Sequence, residues 1–354
     1  MKRLSLATTA IGAVITGLGL MFAPARISAS YLVAYTATLA VVVGVLLLVM
    51  IAHLSGASWF VVLRRQAEAV LGALALLAVL CIPIVVSHRS PWLSARAIAC
   101  WAVWLAVGEA LRRVSRKQDA DGDPATSASL HTISAVGIPL TGVAPTFAAF
   151  DWMMSLDRGW TSFVYGGYYF AACMVGALAL VALLASSVAH RPDEPGPTAH
   201  HFQALGRLTL AFVLFWAYLW YVQFFIIWIA DIPQEAAWYA VRLRGGWGAL
   251  GLSMLIAGVV VPFLVLIFRA ARDSRPVMRI VAIWLLAVHY IDIYWLLVPS
   301  MRPTWSVVDV LWDAGTLMLA AGSACALAAW RQRTRPMVPI GDPQLALSVR
   351  YEAN

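Results

Sequence analysis

The sequence predicts an all-α integral membrane fold of about ten transmembrane helices, in a single polytopic membrane domain over residues 1–354. Three observations carry this reading. Hydrophobic residues make up 62% of the chain and charged residues only 12%, about half of what a soluble domain uses to meet water. The apolar residues fall into ten runs, each close to the roughly 20 residues that cross the hydrocarbon core as a helix. The 25 Lys and Arg, against 17 Asp and Glu, gather in short runs between those apolar stretches. A charge of +8 spread this way is a topology signal for a chain in a lipid bilayer. A nucleic-acid binder would concentrate it on one soluble face, so no nucleic-acid partner is expected.

In chain order the runs cover 4–23, 31–54, 67–87, 92–111, 131–154, 163–189, 205–230, 247–268, 277–299 and 306–330. Helix breakers separate them: Pro24, His88 to Pro91, the Asp119–Pro124 stretch, and Pro192 to Pro197. The longest connection is expected at roughly 112–130, where Arg112, Arg113, Arg116 and Lys117 precede Asp119, Asp121 and Asp123. No connection has room for a soluble domain. The first run, behind Met1-Lys2-Arg3, also reads as a signal peptide ending near Ile27-Ser28-Ala29. A retained first helix is the preferred reading, since insertion needs no cleavage.

Eighteen Lys and Arg fall on the side of the two termini and the even-numbered connections, and seven on the other. The cytoplasmic side carries the excess, so both termini are expected in the cytoplasm. Trp92, Trp160, Trp228, Trp238, Trp247 and Trp305 are then expected to form an outer interfacial belt. Cys81, Cys100, Cys173 and Cys325 lie singly in four runs. Without CxxC, CxxCH or ferredoxin spacing they read as packing residues rather than ligands for iron–sulfur, c-type haem or zinc.

An ionisable side chain at membrane depth carries an insertion cost of about 2.5–3.5 kcal/mol or more, so each one needs a reason. Glu68 stands four and three residues after Arg64 and Arg65, and Glu109 three and four before Arg112 and Arg113. Those spacings share a helix face; a structural ion pair and a proton-entry carboxylate both fit. The fifth run is opened by His131 and interrupted by Gly137, Pro139, Gly142 and Pro145 before Asp151. Proline removes a backbone donor, so this helix is expected to be broken. Asp151 reads either as functional or as one half of an interhelical hydrogen bond. His289 and Asp292 are three apart in the ninth run, and Asp309 and Asp313 four apart in the tenth. A His–carboxylate pair on one face can pass a proton, or be a static contact between packed helices. His53 and His131 are the only conceivable pair for bis-histidine haem, and too weak a basis for it. In Trp238–Trp247, WYAVRLRGGW, Gly245-Gly246 lacks the GxxxxGK[ST] of a phosphate loop. Its charged neighbours Asp231, Glu235, Arg242 and Arg244 are expected to structure an outer loop or to dock a partner.

Dispersed motifs add a resemblance over nearly the whole chain. His53-Leu54-Ser55-Gly56-Ala57-Ser58-Trp59 with Arg64-Arg65, Phe150 to Leu156 with Trp160, and Ala211 to Tyr218 come first. Gln223 to Trp228, Ile232 to Glu235, Trp238-Tyr239, Gly245-Gly246-Trp247 and Pro339 to Pro343 follow in the same order. Together they resemble the F-type membrane subunit of bacterial alternative complex III, one of the polysulfide-reductase-type membrane anchors. The resemblance implies two four-helix bundles flanked by the first and last helices, inside a quinol:cytochrome c oxidoreductase of the inner membrane. It implies an iron–sulfur subunit, c-type haem subunits and a sister quinol-binding membrane subunit as partners, and allows a terminal oxidase. Haem c and iron–sulfur clusters would then sit in those partners, with quinol in the complex and no cofactor bound directly here. The sister subunit carries a histidine shortly before the equivalent aspartate, where this chain reads Pro145 to Phe150 without one. The implied role is a proton path beside the redox machinery, for which Asp151, His289, Asp292, His53, Glu68, Glu109, His131, Asp309 and Asp313 are the candidates. A secondary transporter, which needs paired broken helices, and a purely structural anchor are the competing classes.

Overall fold

The computed structural model describes residues 2–87, 90–187, 195–302, 304, 306–332 and 336–353. Ten helices long and apolar enough to span a membrane run through it: α1 Lys2–Phe22, α2 Pro24–Leu54, α3 Ser58–Ser87, α4 Pro91–Asp121, α5 Pro124–Trp152, α6 Val164–Ser187, α7 Ala199–Ala230, α8 Gly245–Leu266, α9 Arg275–Met301 and α10 Val307–Gln332. No strand occurs among the described residues. This is an all-α, multi-pass integral membrane fold.

The packing divides the spans into two four-helix bundles, α2–α5 and α6–α9, joined along α2 and α6. The flanking helices α1 and α10 pack on each other, and α10 leans on α2 and α3. Helix α2 is apolar all round because it is central, with Leu39, Ala40, Leu46 and Val49 nearly inaccessible. Close approach of α2 to α6 depends on Gly44, where a Cβ would collide with the carbonyl of Cys173. Small residues at such crossings let backbones meet without a hydrophobic driving force between spans. Both termini lie at one end of the bundle, since α1 runs antiparallel to α10 with Gly12 against Gly315 and Leu319, and Gly322 against Thr9.

Three expectations are corrected. Residues 112–130 are helical except at Gly122-Asp123, where Gly122 takes φ +62° as the end of α4 and the Asp123 side chain accepts from Ala125 N. Glu109 pairs with Arg112 and Arg113 one turn on and with Arg116 two turns on, and these pairs support α4 beyond its apolar run. Helix α5 is not broken at Pro139 or Pro145 and continues to Trp152. The irregular turns lie elsewhere: a 3₁₀ turn Leu71–Ala73 within α3, and a π turn Ile256–Val260 within α8. There Val261 N–H donates back to Ile256 O, and the freed Ala257 carbonyl accepts from Trp284 Nε1 at 2.7 Å.

The aromatic belt is the third correction. Trp92 and Trp228 are exposed as a belt requires, but Trp160 and Trp238 are buried and stacked with centroids 4.4 Å apart. The Trp247 carbonyl accepts from Trp295 Nε1 at 3.1 Å, which ties that residue to α9. Trp305 falls outside the described residues, as do His88, Arg89, Arg191, Pro192, Arg333 and Arg335.

Candidate functional site

The candidate residues separate into three zones along the membrane normal. At the end holding the termini, Arg64 and Arg65 are buried in the first turns of α3. Glu68 sits 2.9 Å from Arg65 and 3.4 Å from Arg64, and accepts from Ser115 Oγ at 2.9 Å. Arg65 also pairs with Asp119, and Arg64 with Asp342 of the C-terminal segment. That segment folds back under the bundle. Its Ser348 Oγ accepts from Val62 N at 3.3 Å, and Ser348 O lies 3.1 Å from His201 Nε2. Glu109 is held by Arg112 at 2.6 Å, Arg113 at 2.9 Å and Arg116 at 3.3 Å. His131 lies exposed on α5, and His53 half-buried in the last turn of α2, where its Nε2 has no hydrogen-bond partner among the described residues.

At the opposite end, Asp309 pairs with Arg26 at 2.7 Å and Arg302 at 3.2 Å. Asp313 pairs with Arg302 at 2.8 Å and accepts from Ser30 Oγ at 2.5 Å. Burial opposes the charge of Arg302, but the hydrogen bond and charge of Asp313, with Tyr294 and Asp309, hold its guanidinium above the ordinary value. Asp309 also accepts from Ser306 N at 2.9 Å in the first turn of α10, where a carboxylate suits the positive end of a helix. Asp151, at the end of α5, pairs with Arg96 of α4, whose guanidinium lies over Trp92 at 5.7 Å.

Between α7 and α8, the short helix Pro233–Arg242 tucks Trp238, Tyr239 and Arg242 into the bundle. The Arg242 guanidinium lies 3.6 Å from the Trp238 ring centroid. It donates to Ser300 Oγ at 2.6 Å, Leu296 O at 2.7 Å and Trp238 O at 3.1 Å, with Asp157 at 3.5 Å. Burial pulls Arg242 down to about 10, so it is still cationic at neutral pH. Burial pushes the Tyr239 phenol up; its oxygen accepts from Gln223 Nε2 at 3.3 Å. Asp231 and Arg244 are exposed and Glu235 is half-buried.

Only His289 and Asp292 meet near mid-span. They line one small cavity with Trp216, Gly258, Ala172, Val175, Leu285 and Val288, with room for about one water. Asp292 is 1% exposed. Tyr168 Oη donates to its Oδ1, and Trp216 Nε1 donates to Oδ2 at 3.2 Å. Among the described residues no Lys or Arg stands within ion-pair distance of it. His289 does not bond to Asp292. Its Nε2 meets the carbonyl of Ala37 at 3.1 Å, which fixes the proton on Nε2 because a carbonyl can only accept. The π turn of α8 borders the cavity at Gly258, where a Cβ would stand 2.9 Å from Val288 Cγ1 and 3.0 Å from the Trp216 ring. Such turns recur where a helix is shaped for function.

The sequence reading missed Tyr168 as a site residue, and placed Trp216 in a motif without a role. The signal was there in Gly166-Gly167-Tyr168-Tyr169: hydroxyls in an apolar helix need partners. Fold and site together define a multi-pass helical membrane protein with a buried carboxyl held by neutral donors at mid-span. No protein-family model matches the chain, and no curated protein matches it in sequence.

Proposed function

We propose that this chain is an integral membrane subunit of a quinol:cytochrome c oxidoreductase complex of the alternative complex III type, and that it carries a proton-exchanging site at Asp292. One observation supports the proton role above the others. Glu68, Glu109, Asp151, Asp309 and Asp313 each stand beside an arginine, whereas Asp292 is held by a phenol and an indole. A carboxylate locked to a guanidinium is a structural joint. One held by neutral donors, beside a histidine and a water-sized cavity, can take up and release a proton. The complex type rests on the ordered motifs from His53 to Pro343. Redox centres belong to partner subunits, an iron–sulfur protein and c-type haem proteins, with the sister membrane subunit handling quinol. The chain sits in the bacterial cytoplasmic membrane with both termini inside, on the Lys and Arg count.

The structural-anchor reading draws on the arginine-paired carboxylates, which tie helices together. A transporter needs matched irregular helices in its two halves. The 3₁₀ turn of α3 lies in the second helix of its bundle and the π turn of α8 in the third helix of the other.

Asp292→Asn keeps size and hydrogen bonding but removes the titrating group. In proteoliposomes of the whole complex it should lower the protons moved per electron while quinol oxidation continues, and Tyr168→Phe should do so less. If Asp292→Asn assembles and moves as many protons per electron as the parent, the site is a static contact. If the chain purifies from its membrane alone and colourless, the complex assignment fails.

A further inference from the structure

A second cavity lies apart from Asp292, at the end that carries the termini. It is a cleft of about 430 Å³ between α3, α4 and α10. Its build is two-sided. Leu71, Leu74 and Leu105 make an apolar floor, while Glu109, Arg112 and Arg331 form a charged rim.

Two glycines shape it. At Gly72, in the 3₁₀ turn of α3, a Cβ would collide with the Arg331 side chain, so bare backbone makes the seat for that guanidinium. At Gly108 a Cβ would come within 2.9 Å of Leu74, and its absence lets the Leu74 side chain lie directly against α4 as part of the floor. The charge at the rim is net positive. Two guanidinium groups, Arg112 and Arg331, line it with one carboxylate, Glu109, and Arg113 and Arg116, outside the cleft lining, also pair with Glu109. From the rim toward the middle of the span, Ala75, Val79 and Ile82 continue on one exposed face of α3. Their spacing of four and three residues keeps them in line.

We propose that this cleft binds an anionic phospholipid, its phosphodiester among Arg112, Arg331 and their neighbours and one acyl chain along Ala75, Val79 and Ile82. Guanidinium pairs recognise phosphate oxygens by paired donors, and basic pockets between spans suit acidic headgroups. A quinol head fits the rim poorly: it needs an acceptor for its hydroxyl, and Glu109 is already engaged by three arginines. The inference is independent of any proton role for Asp292.

The test uses the purified protein, with its partner subunits where they co-purify, in zwitterionic detergent. Spin-labelled phosphatidylglycerol is titrated in, with phosphatidylcholine of the same chains as control. Saturable binding of phosphatidylglycerol is expected, weakened about fivefold by Arg112→Gln or by Arg331→Gln, at about 1 kcal/mol for each basic group. Ala106→Trp, on an exposed wall position, fills the cleft without touching charge and should abolish binding in a protein that still folds. Inorganic phosphate in millimolar excess should not displace the lipid, since it lacks the chain. Equal binding of both lipids overturns the proposal, as does affinity that Ala106→Trp leaves unchanged. Displacement by a quinone analogue but not by unlabelled phosphatidylglycerol would make the cleft a quinone site, and also overturns it.

Discussion

Arg242→Met is the perturbation whose size is best defined. The native guanidinium is 1% exposed, donates to Ser300 Oγ and two carbonyls, and stacks on Trp238. Methionine keeps the stem and the ring contact but withdraws every donor. Removing one partner of a buried ion pair costs about 3–5 kcal/mol. The surviving Asp157 side chain is 29% exposed and can rehydrate, so the lower end, about 3 kcal/mol, applies. The penalty falls on the short helix Pro233–Arg242 and its neighbours. At tenfold for each 1.4 kcal/mol, the opened form of this segment should rise about a hundredfold. Trypsin reports on it by cutting after the exposed Arg244, at a rate that follows the open population when opening is fast. In mild detergent, cleavage there should accelerate by about that factor, while cuts elsewhere keep their rates. Arg242→Lys, which keeps charge without the planar fork, should fall between. Cleavage within twofold of the parent would mean that the guanidinium does not anchor the segment, and the packing argument for this end fails.

Gly44→Ala should separate the two bundles, because its methyl meets the Cys173 carbonyl. A loss of about 1–3 kcal/mol or more should appear as a lower melting temperature in detergent, and an unchanged one would refute the close crossing. Asp342→Ala removes a partner of buried Arg64 and should release the C-terminal segment, seen as faster amide exchange at Ser348 and Ala353. Exchange equal to the parent would place the hold on the segment elsewhere. Reporter fusions at Pro124 and Pro336 should both report cytoplasm, and a periplasmic signal at either would overturn the orientation.

The spans were legible because a bilayer imposes one length and one polarity on every helix. Their ends were not, since hydropathy stops where the apolar run stops. Helix α4 continues to Asp121 on the pairs that Glu109 makes with Arg112, Arg113 and Arg116, which hydropathy does not read. Pairing within one helix was legible too: Glu68 with Arg64 and Arg65, and Glu109 with Arg112 and Arg113, follow from spacing alone. Pairing across helices was not. Arg96 finds Asp151 over 55 residues, and Tyr168 finds Asp292 over 124, distances at which no periodicity in the sequence carries information. The three-residue spacing of His289 and Asp292 put both on one cavity, yet their partners, Ala37, Tyr168 and Trp216, come from three other helices. The tryptophan belt failed for a related reason. Composition does not tell a ring that lies at the lipid interface from one recruited by a buried arginine.

The seam between α1 and α10 has a consequence for biogenesis. Glycines at 12, 315 and 322 let these helices touch backbone to backbone, and Arg26 meets Asp309 across 283 residues of chain. During synthesis α1 therefore leaves the translocon long before its partner exists. With 17% of its apolar window buried even in the finished fold, it must wait in lipid, held beside α2 by little more than the turn at Ala23. Closure of this seam therefore has to follow the synthesis of α10.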